Sequence, residues 1–321
     1  MAVFTTHVGS MPLDYSQENV RRAFSDMASI GLDYPPIPQL RSFIDMYMDP
    51  LRKHGAVRKA GMRYLAGELE SVPEEASIPE LGGLSWAVGE TFKGLGVRFC
   101  VTGPFTLASN ILLKPGGSPL IDSTLKLKEF VLETLTDYVA TFVRRASEIG
   151  ADMVVVDEPI LTLTVGRDRA LFGYTVEDVS TALDRLFEGV GCRFRGVHAC
   201  YRVPPMLSKI LLTCERLNYL DHEFADSPAN IDAYTREDLE AHEKLLGMGV
   251  VSSKSTRVEN RVVVESRIRL LLDKFGKQLA FVKPDCGFGG FKGALSSREE
   301  EYSVALRKLR VVVEAADVYS S

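Results

Sequence analysis

Short apolar runs alternate with longer amphipathic stretches along the whole chain. Eight of these runs have the length and the β-branched or aromatic content of strands, namely residues 2–8, 62–69, 97–102, 152–157, 192–198, 217–223, 248–253 and 279–284. Several are apolar at nearly every position, which is typical of parallel strands covered on both faces. The pattern therefore predicts eight parallel strands separated by helices.

The amphipathic stretches carry helix start and stop signals. The clearest predicted helix covers residues 121–149, with Gly150 at the position of a C-cap. Thr175, Thr235 and Ser297 each precede an acidic residue by three positions, as N-cap residues do. Because the alternation has no linker-like interruption, we predict an α/β protein made of a single (β/α)8 TIM barrel over residues 1–321. Its chemistry is expected at the C-terminal ends of the strands.

Composition and charge exclude several classes of protein. The chain has 321 residues, of which 45% are hydrophobic and 25% charged, the balance of a globular protein with a large core. Its net charge is −5 and its basic residues are scattered, so nucleic acid is not an expected partner. No apolar window is long enough to span a membrane, and the first residues lack a signal-peptide pattern. We therefore expect no membrane association and a cytoplasmic location.

Five cysteines are present, an odd number that does not indicate a disulfide framework. Cys100, Cys192 and Cys214 lie in apolar strand-like or helix-like runs, where a small buried thiol is the expected role. Cys200 and Cys286 instead follow predicted strands, where functional residues of a barrel are found.

Four segments at predicted strand ends carry acidic or metal-binding side chains. They are DEP at 157–159, HAC at 198–200, DHE at 221–223 and PDCG at 284–287. His198 and Cys200 are two positions apart, so both side chains point to one side of an extended backbone. With Glu223 and Cys286 they make a donor set that suits Zn²⁺, in a structural or a catalytic site. The alternative is a hydrogen-bonded histidine beside a buried thiol. A catalytic zinc site of this type would suit activation of a substrate thiol.

Several motifs resemble, in order, those of the cobalamin-independent methionine synthases, specifically their catalytic C-terminal barrel. They are VGSMP at 8–12, TGPFTL at 102–107, VVDEP at 155–159, HAC at 198–200, GMGVVSSKSTRV at 247–258 and PDCGFG at 284–289. The resemblance implies that His198, Cys200, Glu223 and Cys286 bind zinc. It also implies that L-homocysteine is the thiol substrate and that the product is L-methionine.

The resemblance also assigns substrate contacts. Val8, Gly9 and Ser10 would bind homocysteine, with Ser10 contacting its carboxylate through the backbone. Asp157 would hold the ammonium group, which agrees with the need of an amine for a counter-charge. For the Asp157–Glu158 pair, capping of the following segment is the competing interpretation, and Pro159 makes it less favourable. Gln39 aligns with a glutamate that forms a second ammonium contact in the family.

Two positions depart from the family pattern. Asn110 stands where the family has a tryptophan that stacks on the pterin of a methylfolate, and we count it among the substrate-binding candidates. Lys254 stands where the family has a histidine that protonates the folate leaving group, and it is the candidate catalytic residue. The family's N-terminal folate-assisting barrel is also not expected in this chain.

These departures favour a methyl donor whose leaving group needs no proton. A methylated corrinoid leaves as cob(I)alamin, so we predict methylcobalamin, or a corrinoid carrier protein, as the donor. Three alternatives stay open. They are a methyltetrahydrofolate-dependent enzyme, transfer to another thiol such as coenzyme M, and a non-catalytic zinc-binding protein. Asp157 argues against coenzyme M, since a sulfonate thiol without an amine has no use for a carboxylate there.

Overall fold

A computed structural model describes residues 3–89 and 95–319. The strands in these ranges are β1 (Phe4–Thr5), β2 (Val57–Ala60), β3 (Arg63–Ala66), β4 (Arg98–Thr102), β5 (Ile111–Leu112), β6 (Met153–Asp157), β7 (Phe194–Ala199), β8 (Tyr219–His222), β9 (Leu245–Val251) and β10 (Leu279–Pro284). The α-helices are α1 (Gln17–Ile30), α2 (Phe43–Lys53), α3 (Pro79–Gly89), α4 (Pro104–Asn110), α5 (Thr136–Ile149), α6 (Leu161–Thr164), α7 (Val176–Leu186), α8 (Pro205–Thr213), α9 (Arg236–Ala241), α10 (Arg261–Phe275) and α11 (Arg298–Ala316).

A curled parallel sheet of seven strands forms the centre of the protein. Its order is β1-β10-β9-β8-β7-β6-β4, and every neighbouring pair is parallel. Helices follow most of its strands, so the predicted α/β class is confirmed. A second sheet of three strands, β2-β3-β5, joins an antiparallel hairpin to β5. The register of the main sheet places Asp157 beside His198 and His198 beside Asp221.

An irregular segment at residues 34–39 lies between the two edge strands of the main sheet. It makes parallel bridges from Tyr34 and Gln39 to Thr6 and Ser10, and from Pro36 to Arg98. The segment has prolines at three of its six positions, and proline donates no backbone hydrogen bond, so a regular ladder cannot form.

The prediction that residues 62–69 form the second strand of the main sheet is therefore wrong. Residues 63–66 do form β3, but β3 pairs with β2 and β5 in the small sheet. The position between β1 and β4 belongs to residues 34–39, a stretch that the hydrophobic pattern does not identify as a strand.

The other strand predictions are confirmed, although the first, predicted at 2–8, is only the short strand Phe4–Thr5, and most other ends shift by a few residues. The strand expected at 248–253 begins earlier, at Leu245. Residue 2 of the first predicted strand lies outside the described residues. The long helix begins later than expected, because Thr124–Lys126 is a 3₁₀ turn and Phe130–Leu135 is a π-helical turn before α5. Gly150 ends α5 in a left-handed conformation, with φ of 113°, as predicted.

Large side chains and glycines alternate inside the sheet. Aromatic residues of β7, β8 and β10 pack together there, among them Phe194, Tyr219 and Phe281. Gly196 and Gly247 flank Tyr219, where a Cβ at either position would collide with the tyrosine side chain. Asp221 lies two positions after Tyr219 in β8, and Glu223 directly follows β8. The chain thus runs from the apolar layer toward the candidate site. Within the described ranges, no helix is both long enough and apolar enough to cross a membrane.

Candidate functional site

Three side chains from the C-terminal ends of β7 and β10 form a compact donor cluster. One ligand atom each of His198, Cys200 and Cys286 lies within 4.8 Å of the other two. The Sγ atoms of Cys200 and Cys286 are 3.7 Å apart, and Nε2 of His198 is 3.1 Å from Sγ of Cys200. Two thiolates on a tetrahedral zinc, with Zn–S bonds of about 2.3 Å, would be about 3.8 Å apart. The donor types and the sulfur separation therefore fit zinc.

The cluster is held by a carboxylate that joins the loops after β8 and β10. Asp285 accepts backbone N–H groups from Phe224, Ala225 and Asp226 at 2.8, 2.9 and 2.6 Å. Burial raises the pKa of Asp285 to about 7, although these hydrogen bonds favour its ionised form. Gly249 leaves room for this side chain, because a Cβ there would overlap the carboxylate. As a result, the loop that carries Cys286 is fixed against the loop that begins at Glu223.

A buried ionic network orients the imidazole of His198. Its Nδ1 lies 2.9 Å from Oδ1 of Asp221, and Lys283 Nζ lies 2.6 Å from the same oxygen. Arg98 Nη2 is 2.9 Å from the other oxygen, and all four side chains are buried. Burial alone would raise the pKa of Asp221, but the charges of Lys283 and Arg98 hold it well below its usual value. Nδ1 of His198 therefore donates to a carboxylate, which leaves Nε2 as the ligand atom.

Glu223, the fourth predicted ligand, is buried but lies outside this cluster. Its Oε2 accepts a hydrogen bond from Ser227 Oγ at 3.1 Å and one from Lys254 Nζ at 3.3 Å. Lys254 is half exposed, and its Nζ also lies 5.3 Å from the ring centre of Tyr201. The structure therefore brings the two candidates Glu223 and Lys254 together as an ion pair.

Asp157, at the end of β6, presents an unsatisfied oxygen. The side chain is buried, and its Oδ1 has no hydrogen-bond partner among the described residues. Burial raises the pKa of this carboxyl to about 7, and the nearby charges of His198 and Arg98 oppose that rise. A buried acceptor without a partner is costly, so a donor from a ligand is expected at this atom.

The end of the first strand is joined to the loop after Cys286. Ser10 accepts backbone N–H groups from Phe288 at its carbonyl oxygen, 2.7 Å away, and from Gly289 at its hydroxyl, 3.1 Å away. A Cβ at Gly287 would overlap the Ser10 hydroxyl, which explains the glycine next to a candidate metal ligand. Gly287 and Gly289 thus allow this loop to pack closely against Ser10.

Val8, Gly9 and Gln39 lie beside Ser10. Gly9 has φ of 120°, a conformation that favours glycine, and Gln39 forms a backbone bridge with Ser10. The Gln39 amide donates to the carbonyl of Cys100 at 3.4 Å, while the Cys100 thiol donates to the carbonyl of Val8 at 3.0 Å. These predicted substrate contacts therefore come from one small region of the fold.

Asn110 uses its amide inside the protein. Its Nδ2 donates to the carbonyl of Thr106 at 2.8 Å, and its Oδ1 accepts from Arg63 of β3. The side chain is buried at the end of α4, and none of its hydrogen bonds reaches the donor cluster. The structure thus gives Asn110 a role in joining α4 to the small sheet.

Glu158 caps a helix that follows a different strand. Its carboxylate accepts N–H groups from Phe105 and Thr106, each at 2.9 Å, at the start of α4. Gly103 lies against it, where a Cβ would overlap the carboxylate. Glu158 is therefore structural, and it links the VVDEP and TGPFTL motifs.

The roles of three residues that support the site were not identified from the sequence: Asp221, Lys283 and Arg98. Asp221 had a usable signal, because it lies two positions before Glu223 and so faces the same side of β8. Lys283 and Arg98 each stand in an otherwise apolar strand, which is unusual for buried positions unless the charge is paired.

Comparison with known proteins identifies the family. Residues 101–317, more than half of the chain, match the family described as "Cobalamin-independent synthase, Catalytic domain". The chain therefore belongs to the cobalamin-independent synthase family.

The relatives in sequence include archaeal proteins named "Methionine synthase". The protein from Methanocaldococcus jannaschii is 27% identical over 231 residues, which cover 68% of this chain but only 64% of that protein. The protein from Saccharolobus islandicus strain Y.N.15.51 is 24% identical over 321 residues, covering 94% of this chain and 86% of that protein. The chain thus spans slightly less than two-thirds of the first relative and most of the second.

Solved structures share the fold at low sequence identity. A B12-independent methionine synthase from Shewanella sp. W3-18-1, solved with selenomethionine, has a TM-score of 0.72 at 14% identity, covering 99% of this chain and 98% of that one. A methyltransferase from Methanosarcina mazei has a TM-score of 0.68 at 16% identity, covering 100% and 94%. At this level of identity the similarity concerns the fold alone.

Proposed function

We propose that the protein transfers a methyl group to the thiol of L-homocysteine and so forms L-methionine. The site would be a zinc centre at the C-terminal ends of the strands of a closed (β/α)8 barrel, and residues 1–321 would act as one catalytic unit. This proposal rests on one observation: Asp157, whose Oδ1 has no hydrogen-bond partner among the described residues, is the sheet neighbour of His198 in the His198, Cys200 and Cys286 cluster.

The residues of the cluster would hold the ion together with Glu223 or the substrate sulfur. A bound zinc supplies Lewis acidity, which keeps a thiol ionised near neutral pH. Asp221 keeps the His198 ring in the orientation that such a ligand needs.

The remaining side chains would orient the amino acid. Asp157 would accept the substrate ammonium group at its free Oδ1, and Gln39 would add a neutral contact near Ser10. The backbone of Val8, Gly9 and Ser10 would contact the carboxylate. Alignment of this kind removes much of the entropic barrier to an in-line displacement. Asp157 also favours homocysteine over coenzyme M, which has no amine.

We propose that the methyl donor is methylcobalamin or a methylated corrinoid protein. In such a transfer the carbon–cobalt bond breaks, its electron pair stays on cobalt, and a carbon–sulfur bond forms, so no proton is required. Two observations support this choice. The amide of Asn110 offers no aromatic surface for a pterin, and Lys254 is paired with Glu223, which raises its pKa against the effect of burial. The family name gives a corrinoid donor no support, so both donor classes need testing.

The test is methionine formation by zinc-loaded protein from homocysteine, with methylcobalamin and methyltetrahydrofolate offered in parallel. Methionine from methylcobalamin alone is the expected result. Methionine from the folate alone would overturn the proposed donor and keep the proposed acceptor. No methionine from either donor, combined with no binding of homocysteine, would overturn the proposed function.

A further inference from the structure

One oxygen of the Glu223 carboxylate has two hydrogen-bond donors that do not belong to the donor cluster. Only 2% of its side chain is exposed, and Oε2 receives both the Ser227 hydroxyl and the Lys254 ammonium. A buried carboxylate that leaves a metal must find other donors, because an unpaired buried charge is costly. In this protein Ser227, on the loop after β8, and Lys254, on the loop after β9, provide two such donors.

We propose that Lys254 is a positioning residue that holds Glu223 away from the metal while the substrate thiol is bound. This inference rests on the proposed function and adds a reason for a lysine at this position. Glu223 would exchange between the metal and the Lys254–Ser227 pair, and Lys254 would shift the populations toward the second state. Lys254 acts through Glu223 and does not touch the reacting atoms.

Other hydrogen bonds keep Lys254 near this place. Its backbone N–H donates to Ser252 Oγ at 3.1 Å, and the Ser252 N–H donates to Glu259 at 2.8 Å. Glu259 in turn accepts from the buried Lys308 of α11 at 2.6 Å. The loop that carries Lys254 is thereby tied to the main body of the protein.

The groups around the ammonium allow limited movement. Asp226 Oδ2 lies 4.0 Å from Lys254 Nζ, and the face of the Tyr201 ring lies 5.3 Å from it. Asp226 itself accepts from Ser252 Oγ at 2.8 Å. The ammonium therefore keeps an acidic neighbour and an aromatic face when Glu223 returns to the metal, so exchange does not leave Lys254 without partners.

The inference predicts a loss of homocysteine affinity without any loss of zinc affinity. In Lys254→Met the displaced state of Glu223 loses its cation, so Glu223 stays on the metal more of the time. Homocysteine should bind zinc-loaded protein about fivefold more weakly, while zinc itself binds equally well or up to about fivefold more tightly. Lys254→Arg should restore both values. Chelator competition measures zinc affinity, and calorimetry measures homocysteine affinity.

Controls separate this effect from general damage. Lys277 is an exposed lysine paired with Glu240 at 3.6 Å, and Lys277→Met should change neither affinity. L-homoserine, which lacks the thiol, should bind Lys254→Met and the unaltered protein equally well. In a Glu223→Gln background, Lys254→Met should have no effect on homocysteine affinity, because the charged partner is gone.

Three outcomes would overturn the inference. They are unchanged homocysteine affinity in Lys254→Met, a parallel loss of zinc and homocysteine affinity, or an undiminished effect in the Glu223→Gln background. Each of these requires that the unaltered protein binds zinc and homocysteine. A protein that binds neither would instead overturn the proposed function.

Discussion

His198 and Lys283 share one oxygen of Asp221, at 2.9 Å from the imidazole Nδ1 and 2.6 Å from the ammonium Nζ. The aspartate is thus the centre of a buried network that also includes Arg98. Two cations on one carboxylate keep it ionised, and an ionised partner fixes the imidazole more firmly than a neutral one. The geometry of the candidate metal site therefore depends on Asp221, Lys283 and Arg98, which lie behind His198 and are not part of the donor cluster.

Asp221→Asn should weaken zinc binding about 10- to 100-fold, because His198 would lose its charged partner. It should also lower the free energy of unfolding by several kcal/mol, about 3–5, since Lys283 and Arg98 would be left buried without a counter-charge. Chelator competition and urea unfolding measure the two effects. Glu80→Gln breaks a buried ion pair with Arg41 elsewhere and should cost stability without affecting zinc affinity. Equal zinc affinity in Asp221→Asn would contradict the role of the network.

Cys286→Ser should remove zinc while the protein stays folded. Loss of a hydrogen-bond partner of a ligand lowers metal affinity about 10- to 100-fold, and loss of the ligand itself should lower zinc affinity further. Methyl transfer should be abolished. The far-UV circular dichroism should not change, because the sheet has its own core. Cys192→Ser is the control. The Cys192 thiol is buried and donates to the carbonyl of Phe194 at 3.3 Å, so this variant should retain zinc. Unfolding of Cys286→Ser would indicate a structural metal instead.

Binding of L-methionine should strengthen as the pH rises through about 7. Burial raises the pKa of Asp157 to about 7, above its ordinary value, so the carboxyl is mostly neutral at lower pH and ionised at higher pH. An ammonium group binds the ionised form, so affinity should rise about tenfold per pH unit below that pKa and then level off. Methionine is a suitable probe because it has no thiol to titrate.

Asp157→Asn provides the matched variant for this pH profile. It should weaken methionine binding at least about 30-fold at pH values above the transition, because a buried charge pair is lost. The remaining affinity should no longer rise through neutral pH. A pH profile that survives in Asp157→Asn would assign the titration to another group.

Glu158→Gln should destabilise the fold by about 1–3 kcal/mol, because an amide cannot replace both carboxylate oxygens that receive the N–H groups of Phe105 and Thr106. Thr106→Val removes only the hydroxyl that also donates to Glu158, and it should cost about 1 kcal/mol. Urea unfolding measures both. Zinc affinity should be unchanged in Thr106→Val, which separates the cap of α4 from the metal site.

Most strands of the main sheet are predictable from local pattern. The strands β4, β6 and β10 are buried over nearly their full length, and this produces the continuous apolar runs seen in the sequence. Residues 34–39 are the exception, because their prolines interrupt the pattern of a strand although they lie where a strand is expected. Residues 63–66 show the reverse case: their local pattern is that of a strand, but they pair with the adjacent β2 and not with the main sheet.

The chemical character of the site, and the strand ends that carry it, are predictable from residue type and local pattern alone. His198, Cys200 and Cys286 stand out because imidazole and thiol groups are few in this chain and directly follow or end apolar runs. The charges that support these three side chains become apparent only in the folded protein. The contacts of Asp221 with Arg98 and Lys283 join three strands that are far apart in sequence. Periodicity and residue type are local properties of a chain, whereas these distances depend on the order and register of the strands, which long-range packing sets.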